Sequence, residues 1–109
     1  MAESSFNAGD LDEVIHGKLR LGLMAYLSGV ESATFNELKA RTGATDGNLS
    51  VHLRKLEEAG YVSVEKKFVG RRPQTRAALN PSGRKAWIVY LEQMSALLSG
   101  SSPGGASEG

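Results

Sequence analysis

Residues 34–62 read T-F-N-E-L-K-A-R-T-G-A-T-D-G-N-L-S-V-H-L-R-K-L-E-E-A-G-Y-V, and this stretch decides the fold. Thr34 and Glu37 stand at capping-box spacing, where the threonine hydroxyl accepts from the N3 amide and the glutamate reaches back to the N-cap amide. A short helix follows with Phe35 and Leu38 facing inward, and Gly43 supplies a left-handed stop. Ala44 alone separates that glycine from Thr45, the N-cap of a second helix whose Asp46 favours the helix dipole. Leu49, Leu53 and Leu56 share one stripe of this second helix, which ends at Gly60. Two short helices across so tight a turn form a helix-turn-helix pattern. A plain helical hairpin in a bundle has the same look, and the residues that follow separate the two.

Y-V-S-V-E-K-K-F (61–68) alternates with period two and places Val62, Val64 and Phe68 on one face; T-R-A-A-L (75–79) does the same with Thr75, Ala77 and Leu79. Between them V-G-R-R-P-Q (69–74) is a turn with Arg71 and Arg72 at its tip, so a basic β-hairpin follows the two helices. Asn80 then caps a last helix with Pro81 at its first position, where the missing N–H costs little. That helix carries Trp87, Tyr90, Leu91, Met94, Leu97 and Leu98 on one stripe and Ile88, Val89 and Ala96 outside it.

On the N-terminal side, a first helix is expected from Asp10 as N-cap, with Asp12 and Glu13 in its first turn, to Gly29. Ile15, Leu19, Leu23 and Tyr26 share one side, while Val14, Leu21 and Met24 point elsewhere. Apolar surplus on both terminal helices needs a second surface, and a homodimer contact through Val14, Leu21, Met24, Trp87, Ile88, Val89, Leu91, Met94 and Leu98 is expected. Both ends are small and polar. They read as disordered tails, 1–9 and 99–109, around one domain at 10–98.

The 109-residue chain has a formal net charge of only +1, which by itself argues against a nucleic-acid partner. The distribution reverses that inference. Residues 1–37 carry a balance of −4, residues 38–91 one of +7 and residues 92–109 one of −2. Residues 66–85 hold Lys66, Lys67, Arg71, Arg72, Arg76, Arg84 and Lys85 with no acid among them. Such a run is often only a solvated face; here it falls on the hairpin.

The order helix, helix-turn-helix, basic hairpin, helix resembles a winged-helix DNA-binding domain. The string 34–62, K-K-F-V-G-R-R-P-Q-T (66–75) and L-N-P-S-G-R (79–84) are similar to the small bacterial and archaeal regulators related to the MarR and ArsR families. The resemblance runs from His16 to about Tyr90. Thr42 and Ala44 depart from larger aliphatics, Gly17-Lys18 stand where a proline often opens the first helix, and Asn80-Pro81-Ser82-Gly83 replaces Thr-Pro-Glu-Gly. The expected fold is therefore α+β and mainly helical, a winged helix-turn-helix with a basic wing and terminal helices for dimerisation.

The resemblance implies a sequence-specific transcriptional regulator, a repressor by expectation, whose recognition helix (46–58) enters the major groove while the wing (69–75) meets the minor groove and backbone. With the leucines turned inward, Gly47, Asn48, Ser50, Val51, Arg54 and Lys55 face outward. Asn48 suits adenine, Arg54 guanine or a phosphate, and Val51 a thymine methyl. Thr45 at the helix start, with Lys39, Arg41 and Lys55, suits phosphates. Arg71 and Arg72 suit the minor groove, with Lys66, Lys67, Gln74 and Arg76 alongside the backbone. His52 meets either a phosphate or the core, while His16 and Trp87 are expected to be structural.

Other classes recede. The chain has no cysteine, hence no disulfide, thiolate metal site or thiol-based sensor, and a reducing cytoplasmic setting is expected. Two histidines without an Asp/Glu cluster make no metal site, and no cofactor is expected. No Ser-His-Asp grouping or paired carboxylates suggest an enzyme, since Glu57 and Glu58 are adjacent on a helix and point apart. No apolar run is long enough to span a membrane. Partners are then double-stranded DNA and a second copy of the chain, with any effector left open; the alternative is a winged helix whose basic wing docks an acidic protein.

Overall fold

The computed structural model describes residues 11–99. Its elements run α1 (Lys18–Ser28), β1 (Ala33–Thr34), α2 (Phe35–Thr42), α3 (Asp46–Glu58), β2 (Val62–Val69), β3 (Arg72–Leu79) and α4 (Pro81–Leu98). The strands form one antiparallel sheet in the order β1-β3-β2. The helix boundaries follow the local chemistry. Glu37 N donates to Thr34 Oγ1 at 3.0 Å and Thr34 N to Glu37 Oε1 at 2.7 Å, completing the capping box of α2. Gly43 stops α2 at φ 72°, Thr45 caps α3, and Asn80 Oδ1 accepts from Gly83 N at 2.8 Å to start α4.

One core joins these pieces: Ile15, Leu23, Met24, Leu27, Leu38, Leu49, Leu53, Leu56, Val62, Ala77, Leu79 and Tyr90 are buried together. Met24 thus has no surface to offer a second copy. Val14, Leu21, Trp87 and Met94 are half-buried against the same core, and Trp87 stacks on Tyr90 with ring centroids 5.8 Å apart. Of the apolar stripe of α4, Tyr90, Trp87 and Met94 face inward, with Ala86. Leu91, Leu97 and Leu98 instead face outward, together with Ile88 and Val89. The domain is too small to cover a helix of 18 residues along its whole length.

The first helix starts later than its acidic residues suggest. Asp10 lies outside the described residues, as do residues 1–9 and 100–109. Residues 12–16 form a separate turn in which Asp12 Oδ1 accepts from Val14 N at 2.9 Å and from Ile15 N at 3.4 Å. Extended backbone at Gly17 (φ −159°) interrupts the chain, and α1 begins at Lys18. The turn is nonetheless fixed, because the Tyr61 hydroxyl donates to Asp12 Oδ2 and the Tyr90 hydroxyl shares a 2.8 Å hydrogen bond with His16 Nδ1. His16 is structural, as expected.

The Asp12 bond, aided by burial and the carboxylate's charge, pushes the Tyr61 phenol up to about 12 from 10.0. A raised folded pKa contributes stability below the unfolded value, and that contribution disappears as pH rises through the folded one. Tyr61→Phe is therefore expected to lower stability by about 1.5 kcal/mol at neutral pH. In urea unfolding, the gap between wild type and variant should close between pH 10 and 12. A gap that persists unchanged beyond that window would contradict the assignment.

The hairpin is longer and its turn tighter than expected. Val69 pairs with Arg72, leaving Gly70 and Arg71 as a two-residue turn, and Gly70 adopts φ 66° as hairpin turns of this length require. Arg72 is consequently the first residue of β3, not part of the tip. Phe68 lies opposite Pro73 and is 73% exposed, although it shares the period of buried Val62. Period-two spacing assigns a face but not where the core ends, and the hairpin runs past it. β1 has no sequence signature, because two residues cannot display a period; it pairs Ala33 with Ala77 and Thr34 with Arg76.

Candidate nucleic-acid interface

Burial of Leu49, Leu53 and Leu56 turns the rest of α3 outward, and Gly47, Asn48, Ser50, Val51, Arg54 and Lys55 are all exposed. Thr45 Oγ1 accepts from Asn48 N at 3.1 Å and so fixes the start of this helix, with its own O–H still able to donate. Beyond the core the hairpin continues through the pairs Lys66 with Thr75, Lys67 with Gln74 and Phe68 with Pro73. An open trough of about 830 Å³ lies between α3 and this arm, lined by Ser50 and Arg54 on one side and by Lys66, Arg72, Gln74 and Thr75 on the other. Asp46 and Glu57 are its acidic lining residues.

A second groove, of about 990 Å³, opens on the other flank of α3, where Asn48 and His52 meet Lys18 and Tyr26 of α1 and Arg41 of α2. The polar face of α3 is thereby divided by its own period. Asn48 and His52, four residues apart, look toward α1; Ser50 and Arg54, also four apart, look toward the wing. None of the residues lining the second groove is acidic.

The remaining cations differ in how they are held. Lys39 pairs with Asp46 across the turn between α2 and α3, and the Arg41 guanidinium lies 5.3 Å from the Tyr26 ring centroid. Arg76 donates to Ser32 Oγ at 2.7 Å, just before β1, and to Gln74 Oε1 at 3.1 Å within the hairpin; Lys67 stands 4.0 Å from Glu65. No carboxylate of the described residues lies within ion-pair distance of Arg54, Lys55, Lys66, Arg71 or Arg72. Arg71, at the turn, and Arg72, beside it, are both exposed.

His52 is half-buried and its Nδ1 lies 2.8 Å from Arg20 Nη1. Burial, then the charges of Arg20 and Lys55, hold its pKa below 6.5, so the ring is neutral at pH 7. Arg20 belongs to the site but not to the residues expected from sequence. Its signal was a lone arginine in the apolar run L-R-L-G-L-M (19–24). Among the described residues no three histidine or acidic side chains gather to hold a metal ion, and no helix is long and apolar enough to cross a membrane.

A helix-turn-helix whose second helix lies beside a long hairpin, on a three-stranded antiparallel sheet and flanked by two further helices, is a winged helix, α+β and mainly helical. The chain belongs to the winged helix DNA-binding domain family, which it matches over residues 19–98. It is 35% identical over 82 residues to an uncharacterized protein of Methanocaldococcus jannaschii, covering 75% of this chain and 89% of that one. A transcriptional regulator homologue from Pyrococcus horikoshii superposes with a TM-score of 0.76 at 27% identity, over 84% of this chain and 90% of that chain. A MarR-family transcriptional regulator from Silicibacter pomeroyi superposes with a TM-score of 0.63 over 76% of this chain and 55% of that chain; at 23% identity it shows the fold alone. The resemblance to MarR-type regulators seen in the motif therefore extends to the three-dimensional fold.

Proposed function

We propose that this protein is a sequence-specific double-stranded DNA-binding transcriptional regulator that acts as a homodimer, with a repressor role. Residues 10–98 form the DNA-binding unit. The observation that carries this reading is the trough in which Ser50 and Arg54 of α3 oppose Lys66, Arg72 and Gln74 of the hairpin. Hydrogen-bonding side chains on a protruding helix suit base edges in the major groove, and an arginine-bearing arm beside them suits the adjacent minor groove and phosphates.

In this reading Asn48, Ser50, Val51 and Arg54 face bases. Thr45, Lys39, Arg41, His52 and Lys55 face phosphates, with Lys66, Lys67, Gln74 and Arg76 along the backbone and Arg71 and Arg72 in the minor groove. The side chains of Arg76 and Lys39 also have protein partners, so besides meeting the backbone they hold the wing and the turn in place. Selection of bound sequences from a random duplex pool tests the proposal. It should enrich paired half-sites about 10 bp apart, and Asn48→Ala should relax a single base position; recovery of unenriched sequence would refute specific binding.

The dimer part rests on Ile88, Leu91 and Leu98, which recur on α4 at spacings of three and seven residues and remain exposed, Leu98 at 79%. Leu91→Glu with Leu98→Glu is expected to convert a dimer into a folded monomer in sedimentation equilibrium. A wild type that sediments as a monomer at micromolar concentration would contradict it.

A further inference from the structure

Arg20 is the one arginine of α1 and is half-buried. It turns back over the N-terminal turn, where Nε donates to Val14 O and Nη2 to Glu13 O at 3.5 Å, while Nη1 meets His52 Nδ1 at 2.8 Å. The guanidinium passes close to Gly17: a Cβ there would stand 3.0 Å from Arg20 Nη2 and 3.2 Å from Cζ, so any side chain at this position would press on it. The turn that holds Arg20 is itself bonded to Tyr61 through Asp12 and to Tyr90 through His16.

Chemistry then settles the ring. A guanidinium only donates, so Nδ1 of His52 must accept, and the ring proton must sit on Nε2. The charges of Arg20 from α1 and Lys55 from α3 itself oppose a positive charge on the ring, and Lys18 and Arg41 line the same groove as His52, which has no acidic lining residue.

We propose that Arg20 is a positioning residue for the recognition helix, fixing His52 as the neutral Nε2–H tautomer so that Nε2 donates to a phosphate oxygen of bound DNA. This inference rests on the DNA-binding reading above and adds to it a residue, a tautomer and a pH response. The positive groove around Nε2 suits a phosphate, and the bond to Arg20 leaves the ring only one orientation in which to present its donor.

The test uses the full-length protein labelled with nitrogen-15. Long-range proton–nitrogen spectra of the two histidines, assigned through His52→Gln, should show His52 with an unprotonated Nδ1, a protonated Nε2 and a midpoint below 6.5. Arg20→Gln should raise that midpoint and mix the tautomers, whereas Arg20→Lys, which still donates one bond, should restore the wild-type pattern. At pH 8, Arg20→Gln and His52→Gln should each bind a random-sequence duplex of about 20 bp about 5-fold more weakly, and the double variant no more weakly than either. A proton on Nδ1 in the wild type, a midpoint at or above 6.5, or no response of the ring to Arg20→Gln would overturn the inference, and the wild-type spectrum alone decides the first two. If the ring behaves as expected but the wild type binds no duplex at any ionic strength, the DNA-binding reading falls and with it the role of Nε2. If the wild type binds and Arg20→Gln leaves affinity unchanged, DNA binding stands and the positioning role is refuted.

Discussion

Replacing Arg71 and Arg72 together with alanine is expected to weaken binding to any duplex about 100-fold at low ionic strength, with no loss of folded protein. Each guanidinium is exposed, and neither has a carboxylate partner among the described residues, so removal leaves no buried group unsatisfied. Charge-assisted contacts to phosphate or minor groove are worth about 1.5 kcal/mol each, and two of them correspond to about a hundredfold in affinity. The loss should be nearly uniform across sequences, and the slope of log affinity against log salt should fall by about 2. Anisotropy titrations at several salt concentrations measure both quantities. Full affinity in the double variant would mean that the wing does not touch DNA and would favour an acidic protein as its partner.

Gly83→Ala is expected to be the most damaging single substitution for the fold. Gly83 is buried in the first turn of α4, and a Cβ at this position would stand 2.0 Å from Tyr61 O and 3.1 Å from Leu79 Cδ2. The Tyr61 carbonyl cannot retreat freely, because it accepts from Asn80 N at 3.1 Å and its residue is tied to Asp12. Overpacking against fixed backbone costs about 3 kcal/mol, which lowers the midpoint of thermal unfolding by about 15 °C in a domain of this size. Calorimetry decides it. A variant that melts within a few degrees of wild type would show that α4 docks less closely than described. The N-P-S-G sequence at 80–83 thus combines a cap, a helix-compatible proline and a steric requirement; only the first two were legible from residue types.

The same division runs through the whole molecule. Features carried by near neighbours could be read directly: the Thr34–Glu37 box, the Thr45 and Asn80 caps, and the leucine stripe of α3 all depend on residues within a turn or two of one another. Net charge misled until it was divided, because acidic segments surround the basic stretch. Features that join distant segments left no local trace. Arg20 and His52 are 32 residues apart and Asp12 and Tyr61 are 49 apart, and nothing in spacing or composition announces such a pair. The face of Phe68 has a related cause. Phe68 obeys the period of its strand, but periodicity describes direction and not depth, and this residue lies where the hairpin extends past the core.

On the reading proposed above, the face formed by α3 and the hairpin binds double-stranded DNA. A salt titration of the full-length protein against a labelled random-sequence duplex tests it most directly. Binding should be measurable at low ionic strength, with log affinity falling linearly in log salt as phosphate counterions are released. Absence of binding at the lowest ionic strength, by a protein shown to be folded in the same buffer, would contradict it.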